Sequence, residues 1–181
     1  GAIAAYKPGG VFDRISSMAS LAGASAPDFW IAITGILIFA VTLRWLPTSG
    51  VGDLPYWILP IGVLMLRPFG LMVQVVRAAM LGALSSAYVK TARAKGVGET
   101  AVIFVHALRN ACLSIVTVAG DLTVGMINGA VIVETVFGWP GVGKLMIDSV
   151  MQRDFPTVQA TIMVTATAIF LLNIAIDFLY V

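Results

Sequence analysis

The stretch YWILPIGVLMLRPFGLMVQVV, residues 56 to 76, decides the fold. It carries one charge, Arg67, and one side-chain amide, Gln74, in a run that is otherwise almost wholly apolar. A helix of roughly 20 such residues crosses the hydrocarbon core of a bilayer. In lipid every backbone N–H and C=O must be satisfied within the protein, so a run of this length spans as a helix. Three further runs qualify: about Pro27 to Leu46, about Ala111 to Val133, and about Thr157 to Val181. Composition agrees. Of 181 residues, 59% are hydrophobic and 11% are charged, whereas a soluble domain is about a quarter charged. The expected fold is an all-α, polytopic membrane helix bundle with four spanning helices, the whole chain forming part of one transmembrane domain.

The net charge of +2 is small and points to no nucleic-acid partner. With one cysteine, Cys112, no disulfide forms within the chain. With one histidine, His106, and no clustered ligands, no metal site is expected, and no cofactor. The chain starts at Gly1 and stops at Val181 inside an apolar run, and no signal peptide is visible. It reads as a fragment or a processed chain, with GAIAAYK as the last turn of a helix that begins earlier.

Four spans make the connecting segments alternate sides. Segments 1–26 and 77–110 share one side and carry Lys7, Arg14, Arg77, Lys90, Arg93, Lys95 and Arg109. Segments 47–55 and 134–156 share the other and carry only Lys144 and Arg153. This bias places the 77–110 loop in the cytoplasm and the 134–156 loop outside.

The outer loop contains FGWPGVGKLM, residues 137–146, in which Gly138, Gly143 and Lys144 match most of the GxxxxGK phosphate-binding pattern. The strict pattern needs Ser or Thr after the lysine to hold Mg²⁺, and a strand before the loop. Here Leu145 follows the lysine, and a membrane span precedes the loop. GWPG therefore reads as a turn, with Glu134 opening the loop and placed to contact a partner outside or to cap the following turn, Trp139 at the membrane interface, and Pro140 and Gly141 setting the backbone. Val142, Leu145, Met146 and Val150 follow at helical spacing, as in a short amphipathic helix at the outer face.

The cytoplasmic segment is rich in helix formers. SSAYVKTARAKG reads as a short basic helix within 86–98. Ser85 or Ser86 is placed to cap it, Lys90, Arg93 and Lys95 lie towards its C-terminus, and Gly96 and Gly98 end it. The small residues Ala92, Ala94 and Gly96 would let another backbone approach. An ordinary loop that binds anionic lipid headgroups accounts for the charge equally well.

YVKTARAKG (88–96) followed by HALRNA (106–111) resembles the cytoplasmic motif of the membrane subunits of ATP-binding-cassette importers. In many of these the motif reads EAA, three residues, Gly, nine residues, then I-x-L-P. Lys90, Thr91 and Ala92 stand at the EAA positions, Gly96 at the glycine, His106 and Leu108 at Ile and Leu, and Arg109 replaces the proline. This form is similar to that of the oligopeptide, dipeptide and nickel permease branch. ETVFGWPGVGKL with RDFPTVQA resembles the outer loop of that branch, and the similarity runs over essentially the whole chain, PDFW and LPTSG included. The resemblance implies a type I importer transmembrane domain in the cytoplasmic membrane of a prokaryote. Such members have six spans, so two N-terminal helices and an outer segment would lie outside this chain.

It further implies that this chain is no enzyme, has no catalytic residue, and forms the translocation path for peptides or related small solutes, nickel among them. Its partners would be a second permease subunit, identical or homologous, two cytoplasmic ATP-binding subunits, an extracytoplasmic substrate-binding protein and the lipid bilayer. Tyr88, Lys90, Thr91, Ala92, Arg93, Ala94, Lys95 and Gly96 would form the helix that docks on an ATPase subunit. Within the spans, Asp121, Asn128 and Arg67 are the candidates for the path or for interhelical hydrogen bonds; Arg67 lies beside Pro68, which invites a kink, and is a candidate partner of Asp121. Gly120, Gly125 and Gly129 suit close helix packing. The rival reading is an ion- or proton-coupled secondary transporter, for which Asp121 and Asp177 would supply a relay. A membrane-embedded enzyme is disfavoured, since no nucleophile–base or metal-ligand spacing occurs.

Overall fold

A computed structural model describes residues 1, 5 and 8–178. All regular structure among them is helical. Helix α1 is Val11–Ser25. Helix α2 runs Asp28–Gly35 and continues as a π-helix over Ile36–Thr42. Helix α3 is Pro55–Ser85 and α4 is Ala87–Ala94. Helix α5 is a continuous run of Glu99–Ala101, a π segment Val102–Ala107 and Leu108–Phe137. Helices α6 and α7 are Val142–Gln152 and Phe155–Phe178. Lys7, the GAIAAYK turn beyond residues 1 and 5, and residues 179–181 of the fourth expected span lie outside the described residues.

Three helices are long and apolar enough to cross a membrane: Pro55–Ser85, Ser114–Phe137 and Phe155–Phe178. The second, third and fourth expected spans fall largely on these helices. The first is built differently, and with it the candidate spans number up to four. The run expected over 27–46 is helical only over Asp28–Thr42, which at 1.5 Å per residue reaches about 22 Å, short of a bilayer core of about 30 Å. It counts as a span only when taken together with α1 as one broken element. The cause lies at its end, where hydrogen bonds run five or more residues back: Leu43 N–H to Ile38 C=O at 2.9 Å and Trp45 N–H to Phe39 C=O at 2.9 Å. The Thr42 hydroxyl also donates to Leu37 C=O at 2.8 Å. Arg44 then turns the chain with φ of 54°.

The loop expected over 77–110 is mostly helix. α3 continues beyond the span to Ser85, and α5 is already formed at Glu99. Pro60 and Pro68 both lie inside α3, each freeing the carbonyl four residues before it.

The chain divides into two compact units. The first is Gly1–Ala24 with Phe69–Asp121, and the second is Ser25–Pro68 with Leu122–Val181. The core of the first unit joins Met80 of α3, Val89 and Ala92 of α4, and Val102, Ala107 and Ala111 of α5. The core of the second joins Ala32 of α2, Leu59 and Val63 of α3, and Val133 and Phe137 of α5.

In the first unit α1 is amphipathic with its polar side inward. Asp13 and Ser20 are buried, while Phe12, Ile15 and Met18 are exposed. The Asp13 carboxylate accepts Arg77 Nε–H at 2.5 Å, Arg77 Nη2–H at 2.7 Å, and the Gly9 amide at 2.8 Å. Two turns earlier on α3, Gly70 lets the backbones meet: a Cβ on it would lie 2.5 Å from Ser20 C=O and 3.2 Å from Ala24 N. In the second unit Asp154 caps α7. Its carboxylate accepts the Thr157 hydroxyl at 2.6 Å and the Thr157 amide at 3.3 Å. These two bonds, the hydroxyl's first, hold the Asp154 carboxyl below its ordinary pKa.

Two outcomes follow from this packing. Gly70→Ala drives a methyl into the Ser20 carbonyl and should destabilise by about 1–3 kcal/mol, read as a lower Tm of the detergent-solubilised protein. Gly62→Ala, with nothing within 4 Å of its added Cβ, should leave Tm unchanged or higher. For Asp154, a lowered folded pKa means the cap is intact above the unfolded-state value of about 3.9. Protection of the Thr157 amide in hydrogen exchange should persist above that pH and fade as pH drops through the folded value; fading at higher pH would refute the cap.

Candidate functional site

The α4 helix has two unlike faces. Val89 is fully buried and Ala92 is 8% exposed, so this edge packs into the core of its unit. The remainder, Tyr88, Lys90, Thr91, Arg93, Ala94, Lys95 and Gly96, is exposed. Ala92, expected among the residues open to another backbone, therefore faces the core. Ala94 and Gly96 keep that place.

The two ends of α4 are built differently from expectation. Ser86 occupies the N-cap position but makes no side-chain cap bond. Its hydroxyl donates to Ala83 C=O at 2.5 Å, and Ser85 donates to Gly82 C=O at 2.9 Å. Both serines close the end of α3. At the other end Gly96 takes φ of 77°, and the Val97 amide reaches back to Ala92 C=O at 3.2 Å. This left-handed residue terminates the helix as expected. Gly98 has an ordinary φ of −62° and precedes the start of α5.

Charge on this face is not uniform. The Arg93 guanidinium forks onto Glu99, Nε–H to Oε1 at 2.9 Å and Nη2–H to Oε2 at 3.1 Å. Both partners are exposed, so the pair contributes at most about 1 kcal/mol. It does fix the direction in which Arg93 points. Lys90 and Lys95 are exposed and have no ion pair among the described residues. The result is an eight-residue helix with a small apolar residue, Ala94, exposed between Arg93 and Lys95.

The second candidate region is the turn between α5 and α6. Glu134 does not open a loop, because α5 runs on to Phe137. Its carboxylate accepts the Lys144 amide at 3.0 Å, filling the positive N-terminus of α6. The glycines make this possible. A Cβ on Gly141 would lie 2.1 Å from Glu134 Cδ, and one on Gly143 would lie 2.6 Å from Val131 Cα. The anion place at the start of this GxxxxGK segment is thus taken by the protein's own carboxylate. Lys144 Nζ is turned to Asp148 at 2.5 Å, and the preceding element is a helix. Geometry as well as sequence disfavours phosphate binding.

GWPG is the expected turn. Gly138 has φ of 63°, and the Trp139 amide donates to Glu134 C=O at 2.8 Å. Trp139 meets Trp57 of α3 edge-on, ring centroids 4.3 Å apart, while Pro140 is exposed. The amphipathic helix expected after the turn is α6.

Among the polar residues expected within the spans, Asn128 lies on the wall of a cleft of about 490 Å³. That cleft is lined mainly by apolar side chains of α5, α6 and α7, including Val131, Met146, Ile162 and Ile169. Arg67 and Asp121 are exposed and flank the two places where the unit division crosses α3 and α5. Gly129 packs as expected, its added Cβ falling 3.5 Å from Leu64, but Gly125 has nothing within 4 Å. Among the described residues no group of three or more His, Cys, Asp or Glu side chains is placed to hold a metal ion.

Sequence reasoning left Glu134 open as a cap on the following turn, and its carboxylate does meet the α6 N-terminus, beside the two glycines that precede and follow Val142. It missed Asp13 on Arg77. For Asp13 and Arg77, 64 positions apart, no local signal existed. Glu134→Ala removes the capping carboxylate and should cost about 0.5–2 kcal/mol, the range for lost helix caps. Faster hydrogen exchange at the Lys144 amide, with α4 amides unchanged, is the expected reading; unchanged exchange at Lys144 would remove Glu134 from this role.

Comparison with known proteins agrees with this architecture. The profile of the family described as binding-protein-dependent transport system inner membrane component matches residues 1–181. A di/tripeptide transport system permease protein of Pseudomonas aeruginosa is 42% identical over 208 residues, covering 99% of this chain and 62% of the relative. A glutathione transport system permease protein of Escherichia coli K12 is 40% identical over 168 residues, covering 93% of this chain and 55% of the relative. The chain thus spans less than two thirds of the length of either. With its membrane-length helices, its short two-faced α4 and a match along its whole length, the chain belongs to the family of inner membrane components of binding-protein-dependent transport systems.

Proposed function

We propose that this chain forms part of the translocation path of an ATP-driven importer for peptides or related small solutes, and that it takes its drive through the exposed face of α4. The observation that carries the proposal is the division of α4. Val89 and Ala92 tie the helix to α3 and α5, and Tyr88, Lys90, Thr91, Ala94 and Lys95 stay open to a partner. A push on that face reaches the long helices through tightly packed side chains, which transmit rigid-body displacement because interiors are close-packed.

The partners in this reading are two cytoplasmic ATP-binding subunits, a second permease subunit and an extracytoplasmic substrate-binding protein. Hydrolysis takes place on the ATP-binding subunits, and this chain responds to their closure. The outer end with Trp139, Pro140 and Gly141 is the candidate contact for the binding protein, and the Asn128 cleft is the candidate stretch of path. The relatives' names supply the substrate class, peptides and glutathione. Nickel rests on the resemblance of the motif alone. The secondary-transporter reading gives α4 no partner and has only Asp121 and Asp177 to build a relay from; both are exposed.

The test is co-purification of the full-length protein with the subunits encoded beside it. Gly96→Trp blocks docking by bulk, but Gly96 sits at φ of 77°, so the variant also strains the turn. Ala94→Trp adds the bulk on an unstrained helical position. Both should insert normally and lose at least about tenfold of the co-purified ATPase subunit, a loss of roughly 1.4 kcal/mol or more in docking. Full retention of the ATPase by Ala94→Trp would refute α4 as the docking element.

A further inference from the structure

Asp13 is a buried carboxylate that the docking role of α4 does not use. Its side chain is 4% exposed, and its partner Arg77 is 30% exposed. α1 presents Phe12, Ile15 and Met18 away from its own unit, so apolar packing is not what grips it. It is held at two points on α3: the Arg77 fork on Asp13, supported by the Gly9 amide, and the backbone approach at Gly70. Arg77 also lies within one turn of Met80, which is wholly buried against Val89 and Ala92 of α4. Val76 packs against the same cluster. One turn of α3 therefore carries both α4 and α1.

A forked guanidinium–carboxylate pair fixes orientation as well as distance, because two parallel N–H···O bonds must be kept at once. An apolar contact would let α1 slide. We propose that the Asp13–Arg77 pair is the joint that makes α1 move with α4, so that breaking it separates ATP hydrolysis from transport while the docked complex persists. Asp13 and Arg77 are on this view positioning residues, acting through α3 on the path. The inference rests on α4 being the ATPase-docking helix.

The experiment uses the full-length protein assembled with its partner subunits in proteoliposomes. It reads the amount of assembled complex, ATP hydrolysed, and substrate imported per ATP, with di- and tripeptides as the probe. If the wild-type chain brings down no ATPase subunit, the docking proposal has failed and the joint falls with it; this is read before any variant is made. Given a wild-type complex, Asp13→Asn and Arg77→Met should each assemble normally, hydrolyse ATP, and lose at least about fivefold in import per ATP, the lower end of usual coupling between sites. The double variant should be no worse than either single one, since both remove the same contact. Arg77→Lys, which keeps the charge and loses the fork, should fall between wild type and Arg77→Met. Should Asp13→Asn fail to assemble, Arg77→Lys decides the matter by the same ratio. Import per ATP equal to wild type in the assembled variants overturns the proposal. So does a loss of import that merely tracks a loss of assembled complex, which would make the pair a folding contact only.

Discussion

Everything proposed for α4 depends on the burial of one side chain, Val89. A helix of eight residues is too short to be stable in water on propensity alone, and α4 has no side-chain cap at its N-terminus. Its order comes from Val89 and Ala92 packing onto Met80, Val102, Ala107 and Ala111. The same packing that makes the helix form also fixes which face is left open and joins that face to the ends of two long helices. In the proposed role stability and transmission would share one cluster, because a close-packed interior does both.

The turn between α5 and α6 is governed by another constraint, the four unpaired amides at a helix start. A buried-side carboxylate from Glu134 meets one of them, and Gly141 and Gly143 are small so that it can come close. A segment that looks like a nucleotide loop in one dimension is thereby a self-contained cap in three. The glycines serve the approach of a neighbouring helix and its carboxylate, not of a phosphate.

The two units show how polar contacts are used where apolar ones are spent on the surroundings. In a soluble protein α1 would bury Phe12, Ile15 and Met18 and show Asp13 to water. Here the order is reversed, which is tolerable because Asp13 is met by three N–H donors. A carboxylate buried without them would be costly enough to expel the helix. The reversal also hides α1 from a reading based on which residues ought to face inward.

Sequence alone determined the class of the protein, three of its membrane-length helices, the short basic helix ending at Gly96, the GWPG turn and the helix after it. Each of these rests on local properties: length of an apolar run, helical spacing, and the backbone freedom of glycine. Tertiary structure alone decided that Ala92 faces the core while Ala94 does not, that Ser85 and Ser86 serve α3, that the first expected span stops at Thr42, and that Asp13 pairs with Arg77. These depend on what lies opposite a residue across space. A neighbour 64 positions away leaves no trace in the spacing of the residues around it.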